Sequence, residues 1–205
     1  MGLLLIPKRG SLILFASYAL KHLGANVPSS EELEWCIGPP LVDSFSILLK
    51  DAGEKLILEA VELYRVNFKK KGLLECFLYE GIVDVLNKLT ERNFSIYLAT
   101  AKPKVFADEI LKNLNIYDLF SNVYGSELDG TRNNKTELID YIIKKEGLIR
   151  AETVMIGDRE NDIVGANNNN ILSCGVLYGY GSKAELIEAD ADIIISKPEY
   201  LLDIF

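Results

Sequence analysis

The second half of the chain alternates short apolar runs with amphipathic stretches of helical period, and this alternation constrains the fold more than any other feature. Ile82, Val85, Leu86 and Leu89 recur at helical spacing, and the chain then passes through Asn93 into Ser95-Ile96-Tyr97-Leu98-Ala99, a buried-strand pattern ending at Thr100. The pattern continues with a helix from Pro103 to Leu114, a short strand near Val123-Tyr124 and a helix from Asn134 to Glu146. A strand Thr153–Ile156 ending at Gly157, a further helix, a strand Leu172–Leu177 and a late strand Ile193–Ile195 complete it. Strands separated by helices imply parallel pairing with helices on both faces, an open α/β sheet. Ligands of such sheets bind beyond the carboxyl ends of the strands, so the loops after Thr100, Tyr124, Gly157 and Leu177 form one candidate site.

The first half reads as helical. Leu12, Phe15, Ala16, Ala19, Leu20 and Leu23 share one face, with Ser11 as a cap and Gly24 as a left-handed stop. A short helix from Glu31 to Ile37 ends at Gly38-Pro39-Pro40, and a long one from Lys55 to Lys70 carries Ile57, Val61, Tyr64 and Phe68. Residues 11 to 78 are therefore predicted to be an all-helical unit.

Composition narrows the partners. The 205 residues include 22 basic and 30 acidic side chains, a net charge of -8 that repels phosphate backbones and anionic lipid. A nucleic-acid partner is disfavoured. No apolar run approaches the roughly 20 residues of a membrane span, and Met1-Gly2 lacks the Ser or Thr at position 6 that myristoylation wants, so no membrane and a cytoplasmic address are expected. Cys36, Cys76 and Cys174 are few, far apart and outside any C-x-x-C, and read as reduced packing residues.

The strongest chemical signal is Val154-Met155-Ile156-Gly157-Asp158-Arg159-Glu160-Asn161-Asp162. One carboxylate stands at a strand tip and another four residues on, where the next helix begins, so both face one point. Two hard oxygen donors there suit Mg²⁺, which keeps waters and substrate phosphate as its other ligands; the competing reading is a helix cap at Asp158 with a solvated Asp162. Thr100 ends the first core strand, where its hydroxyl and the backbone N–H groups of the turn, Ala101 first, can bond a phosphate oxygen. Lys135 opens a helix after Thr131-Arg132-Asn133-Asn134 and can offer a point charge to an anion. Alone, Thr100 reads as a turn former and Lys135 as a solvated side chain.

In this order the elements resemble the haloacid dehalogenase superfamily of phosphohydrolases. Thr100 matches its second motif, Lys135 its third, and Asp158 with Asp162 its fourth, G-D-x-x-x-D. Tyr18–His22, Ile37–Leu41, Gly125–Arg132 and Gly175–Gly181 resemble the phosphoglycolate-phosphatase-like branch, and the likeness runs from Pro7 to Phe205. The resemblance implies a doubly wound parallel sheet with an α-helical cap, divided as residues 1–10 (a remnant of the N-terminal core), 11–78 (cap, with Gly38–Leu41 near substrate) and 79–205 (core). It further implies Mg²⁺ held by Asp158 and Asp162, phosphate gripped by Thr100, Ala101 and Lys135, and a small phosphorylated metabolite as substrate, phosphoglycolate or a nucleoside monophosphate. Monomer and homodimer both stay open.

One departure matters. The family's first motif, D-x-D-G-T, carries the nucleophilic Asp and the general acid, and it is absent: Leu3-Leu4-Leu5-Ile6 runs straight into Pro7-Lys8-Arg9-Gly10. Leu128-Asp129-Gly130-Thr131 spells part of it but stands in the loop leading to Lys135, the wrong place for a nucleophile. Without the attacking carboxylate no aspartyl-phosphate forms, and impaired hydrolysis is expected. The alternative is a non-catalytic phosphate-binding or interaction domain that keeps the fold. Losing the central strand would also leave its two neighbours with unpaired backbone groups unless Gly2–Ile6 replaces it. His22 is expected to meet helix-end carbonyls, Trp35 to lie in the core, Gly179 and Gly181 with Tyr178 and Tyr180 to form either a phosphate-cradling loop or a plain turn after a strand, and Asn167–Asn170 to have no function beyond a cap at its last residue.

Overall fold

A computed structural model describes residues 5–7, 9–37, 39–50, 52–74 and 76–205. The chain divides into a unit of residues 7–77 and a unit comprising residues 1–6 and 78–205. After β1 (Leu5–Pro7), which straddles the boundary, the first unit holds α1 (Arg9–His22), a 3₁₀ turn Glu31–Cys36, α2 (Leu41–Leu48) and α3 (Glu54–Lys71). Its core is aromatic. The Phe15 ring stands edge-on to Tyr64 and Phe68, 5.9 and 5.8 Å between centroids, and Phe45 meets Tyr64 at 6.4 Å. α2 was not expected. Its start follows Pro40, whose missing N–H costs nothing before a first helical turn, while Gly38 lies outside the described residues. Nor is the stretch wholly helical: β2 (Cys76–Leu78) pairs with β1 as a two-stranded ribbon.

The α/β core follows: α4 (Ile82–Glu91), β3 (Tyr97–Pro103), α5 (Lys104–Asn113), β4 (Asn122–Ser126), α6 (Lys135–Glu146), β5 (Val154–Gly157), α7 (Glu160–Asn168), β6 (Leu172–Val176), α8 (Lys183–Glu188), β7 (Ile193–Ile195) and α9 (Leu201–Ile204). All core pairings are parallel, with Leu98 opposite Val123, Ile156 opposite Cys174 and Gly175 opposite Ile194. Parallel strands covered on both faces read as continuous apolar runs, which is why these segments were legible. β3 outruns its apolar stretch, reaching Pro103 through an irregularity after Thr100 that Ser126 Oγ secures by donating to Ala101 O at 2.8 Å.

Among the described residues the sheet is parted into β3-β4 and β5-β6-β7. Leu5–Pro7 pairs with β2 rather than with β3 or β5, and Met1–Leu4 lie outside the described residues. The two pieces are joined through α6 and α7. Gly165 of α7 permits their close approach, since a Cβ there would lie 2.9 Å from Lys135 Cγ and 3.0 Å from Ile139 Cδ1. Ile139, Ile143, Ala166 and Ile171 close the seam with an apolar cluster.

The asparagine tract serves this seam, contrary to expectation. Asn169, 4% exposed, donates its amide to Thr136 O at 3.0 Å and Gly165 O at 2.8 Å, and Asn168 reaches Thr136 Oγ1 at 3.2 Å. Asn167 donates to Ala189 O and Asp190 O, both at 3.1 Å, while Asn170 takes the left-handed conformation (φ 53°) expected of it. His22 stacks on Tyr18, 5.6 Å between centroids, and Trp35 is 37% exposed rather than core. Cys76 and Cys174 are buried and Cys36 partly so.

Asn169→Ala removes a buried amide that satisfies two carbonyls and should cost about 2 kcal/mol, whereas exposed Asn168→Ala should cost under about 0.5 kcal/mol. Urea unfolding of the two variants side by side checks this; equal losses would contradict the assigned roles.

Candidate active site

The helix that carries Lys135 is fixed at both ends. Asn134 caps α6 by accepting from Glu137 N, and Gly147 closes it in the left-handed conformation (φ 66°). Lys135, the first helical residue, points its ammonium inward, where Nζ lies 2.9 Å from Asp162 Oδ1 and donates to Ala99 O at 3.0 Å. These side chains are only 10% and 12% exposed. One ammonium thus joins β3, at the carbonyl just before Thr100, to the first turn of α7.

Asp162 Oδ2 reaches back past the helix start and accepts from Asp158 N at 3.2 Å and from the N-cap Arg159 N at 3.3 Å, satisfying the N–H groups of the two residues that lead into α7. Gly157 makes this possible, because a Cβ there would overlap the Asp162 carboxylate. Burial pushes the Asp162 carboxyl upward, but the Lys135 charge and the hydrogen bonds it accepts together hold it below the usual carboxylate range.

Asp158 is 3% exposed. Its Oδ2 accepts from Tyr180 N at 2.9 Å, and no hydrogen bond from a described residue reaches its Oδ1. Burial, and then the Asp162 charge, raise its carboxyl above the ordinary range. Gly179 and Gly181 pack against Asp158: a Cβ on the first would overlap the Asp158 side chain, and on the second the Asp158 carbonyl. Arg159 Nε bonds Glu185 Oε1 at 2.7 Å.

Of the residues singled out in the sequence, the structure brings together Lys135, Asp162 and Asp158. Thr100, 3% exposed, sits one residue past the carbonyl that Lys135 holds, and its Oγ1 accepts from Lys102 N at 3.1 Å. Ala101 spends its carbonyl on Ser126. No described hydrogen bond links Thr100 or Ala101 to the carboxylates. Asp129 lies in an exposed turn, where Oδ1 accepts from Thr131 N at 2.9 Å. Among the described residues no group of three or more His, Cys, Asp or Glu side chains forms a metal cage. The sequence reading missed the Ala99 carbonyl, the Tyr180 N–H and the Glu185 carboxylate; Gly179 and Gly181 were the available signal for the second.

An α/β core with a helical insertion, carrying a lysine and a strand-tip carboxylate pair, is the frame of a hydrolase. The family model for haloacid dehalogenase-like hydrolases matches residues 4–176, and the chain belongs to that family. It is 41% identical over 185 residues to a 5'-nucleotidase of Pseudomonas aeruginosa, covering 90% of this chain and 83% of that protein. A phosphoglycolate phosphatase of Vibrio vulnificus is 27% identical over 168 residues, 82% of this chain and 73% of its own length. The crystal structure of a predicted phosphatase from Clostridium acetobutylicum superposes with a TM-score of 0.92 at 34% identity, over 98% of this chain and 92% of that one. By this kinship the chain is a phosphoric monoester hydrolase with an α/β core and a helical cap. No helix among the described residues is long and apolar enough to cross a membrane.

Lys135→Met leaves Asp162 as an uncompensated buried charge and should cost about 3 kcal/mol at neutral pH. Because the folded-state carboxyl of Asp162 lies below its unfolded value, its contribution is present above the ordinary carboxylate range and is lost as pH falls through the folded value. The gap between wild type and Lys135→Met should therefore narrow on acidification. Adding Asp162→Asn should restore about 1–2 kcal/mol of it at neutral pH. Chemical denaturation of the full cycle across pH decides; additive losses would contradict the pairing.

Proposed function

We propose that this chain is a Mg²⁺-dependent phosphomonoesterase of low turnover, acting in the cytoplasm on a small phosphorylated metabolite, either a nucleoside monophosphate or phosphoglycolate. The observation that carries the reading is the convergence of Lys135, Asp162 and Asp158. The residues present fit a hard cation: Asp158 is buried and has one oxygen with no described donor. Asp158 and Asp162 would hold the ion. When bound there, Mg²⁺ neutralises charge on the transferring phosphoryl group.

The chain's own groups do the remaining work. An ammonium has three donors, and Lys135 commits two, to Asp162 and Ala99, leaving one N–H for a phosphate oxygen. Thr100 keeps its hydroxyl proton, since the bond it makes to Lys102 N uses an oxygen lone pair, and it can donate to a second phosphate oxygen. The buried setting strengthens both bonds. The 205 residues contain no D-x-D-G-T; with the residues present, positioning and charge stabilisation would support slow attack by water. The same absence favours the second reading, a phosphate-binding domain without turnover.

p-Nitrophenyl phosphate, nucleoside monophosphates and phosphoglycolate, each tested with Mg²⁺, separate the two. Slow turnover that needs Mg²⁺ and falls at least about 100-fold in Asp158→Asn is the expected result. Saturable binding without turnover would select the second reading, and neither binding nor turnover would reject both.

A further inference from the structure

Asp158 is held by a loop, and the loop is held by a side chain outside the site. Tyr180 N–H donates to Asp158 Oδ2, while Gly179 and Gly181 lie against the Asp158 side chain and carbonyl. The loop then enters α8, whose Ser182 cap accepts from Glu185 N at 3.1 Å. From α8, Glu185 Oε1 turns back to the start of α7, 2.7 Å from Arg159 Nε and accepting from Glu160 N at 2.9 Å. A Cβ on Gly181 would stand 3.4 Å from Glu185 Oε2, so the carboxylate also packs beside the loop. Arg159 and Glu185 are 19% and 21% exposed in their side chains, dry enough for charge-assisted bonds to hold geometry rather than exchange with water.

The geometry points to Glu185 as a positioning residue for Asp158, acting through Arg159 and the 178–182 loop. This inference deepens the proposed cation site and rests on it for its metal-dependent part alone. Glu185 closes a ring: Asp158, Arg159, Glu185, Ser182 and Tyr180 return to Asp158 through covalent links and hydrogen bonds. Opening that ring at Glu185 frees the loop to carry the Tyr180 N–H away from Asp158, and the carboxylate loses its fixed direction. Partners that orient a metal ligand typically govern affinity by about 10- to 100-fold.

The test uses the full chain and the variants Glu185→Gln, which keeps the shape and removes the charge, Glu185→Ala, and Glu188→Gln on the exposed side of the same helix. In metal-free protein, amide hydrogen exchange at Tyr180 is expected to quicken by about tenfold in Glu185→Gln and more in Glu185→Ala, with Glu188→Gln unchanged. Mg²⁺ titrated by calorimetry is expected to bind both Glu185 variants about tenfold more weakly than wild type. Unchanged Tyr180 exchange in both Glu185 variants overturns the inference. If Mg²⁺ does not bind the unaltered chain, the cation reading fails, while the exchange experiment still decides whether Glu185 positions Asp158.

Discussion

The ammonium of Lys135 stands between two pieces of sheet that no pairing among the described residues joins, and much of the order near the site follows from what it touches. Taking an ammonium and a carboxylate out of water costs several kcal/mol per ion, a loss their mutual attraction recovers only when geometry is good and the remaining atoms are satisfied. Here Asp162 spends its second oxygen on two backbone N–H groups, and Lys135 adds the Ala99 carbonyl. The pair is thereby satisfied on both sides. Its value lies less in net stability than in register: it ties β3 at Ala99 to the start of α7, elements that no described backbone pairing joins.

Space, as much as attraction, defines the carboxylates. Three glycines lie where a methyl group would strike Asp158 or Asp162: Gly157 under Asp162, Gly179 and Gly181 around Asp158. Such close approach pushes water out, and burial is what drives the Asp158 carboxyl upward. A fourth, Gly165, lets α7 approach the stem of Lys135. The electrostatics therefore originate in the absence of side chains as well as in the charges, since any alanine at these positions would move a carboxylate or the lysine away from its partner.

How far the sequence was readable follows from how local each cause is. Ile193–Ile195 and Val154–Gly157 form strands almost as read, because strands buried on both faces are apolar without interruption. Asp158 and Asp162 were readable because strand tip and helix start sit four residues apart. The short strand Cys76–Leu78 carries too few residues for any period to show, and α2 was hidden by the prolines that mark its start. The jobs of Asn167, Asn168 and Asn169 depend on acceptors from 4 to 33 residues away, and the Glu185 contact with Arg159 spans 26. A single sequence holds no local trace of such pairings. Trp35 misled because aromatic size argues for a core position without saying which face of a short helix it occupies.

The arrangement also separates two contributions that phosphoryl transfer usually combines. Holding and neutralising a phosphate needs donors and cations fixed in a dry site, and fixed donors act without reorganising when charge develops. Covalent attack needs a nucleophile aligned with phosphorus, which divides one difficult displacement into two easier ones. Under the proposed function Lys135, Thr100 and the carboxylate pair serve the first task, Lys135 and Thr100 through the donors they keep and Asp158 through the oxygen that no described donor reaches. On that reading such a site would lower the barrier for a group attacking from outside it, so that the attacking group would set the rate while Lys135 and Thr100 would set the affinity for phosphate.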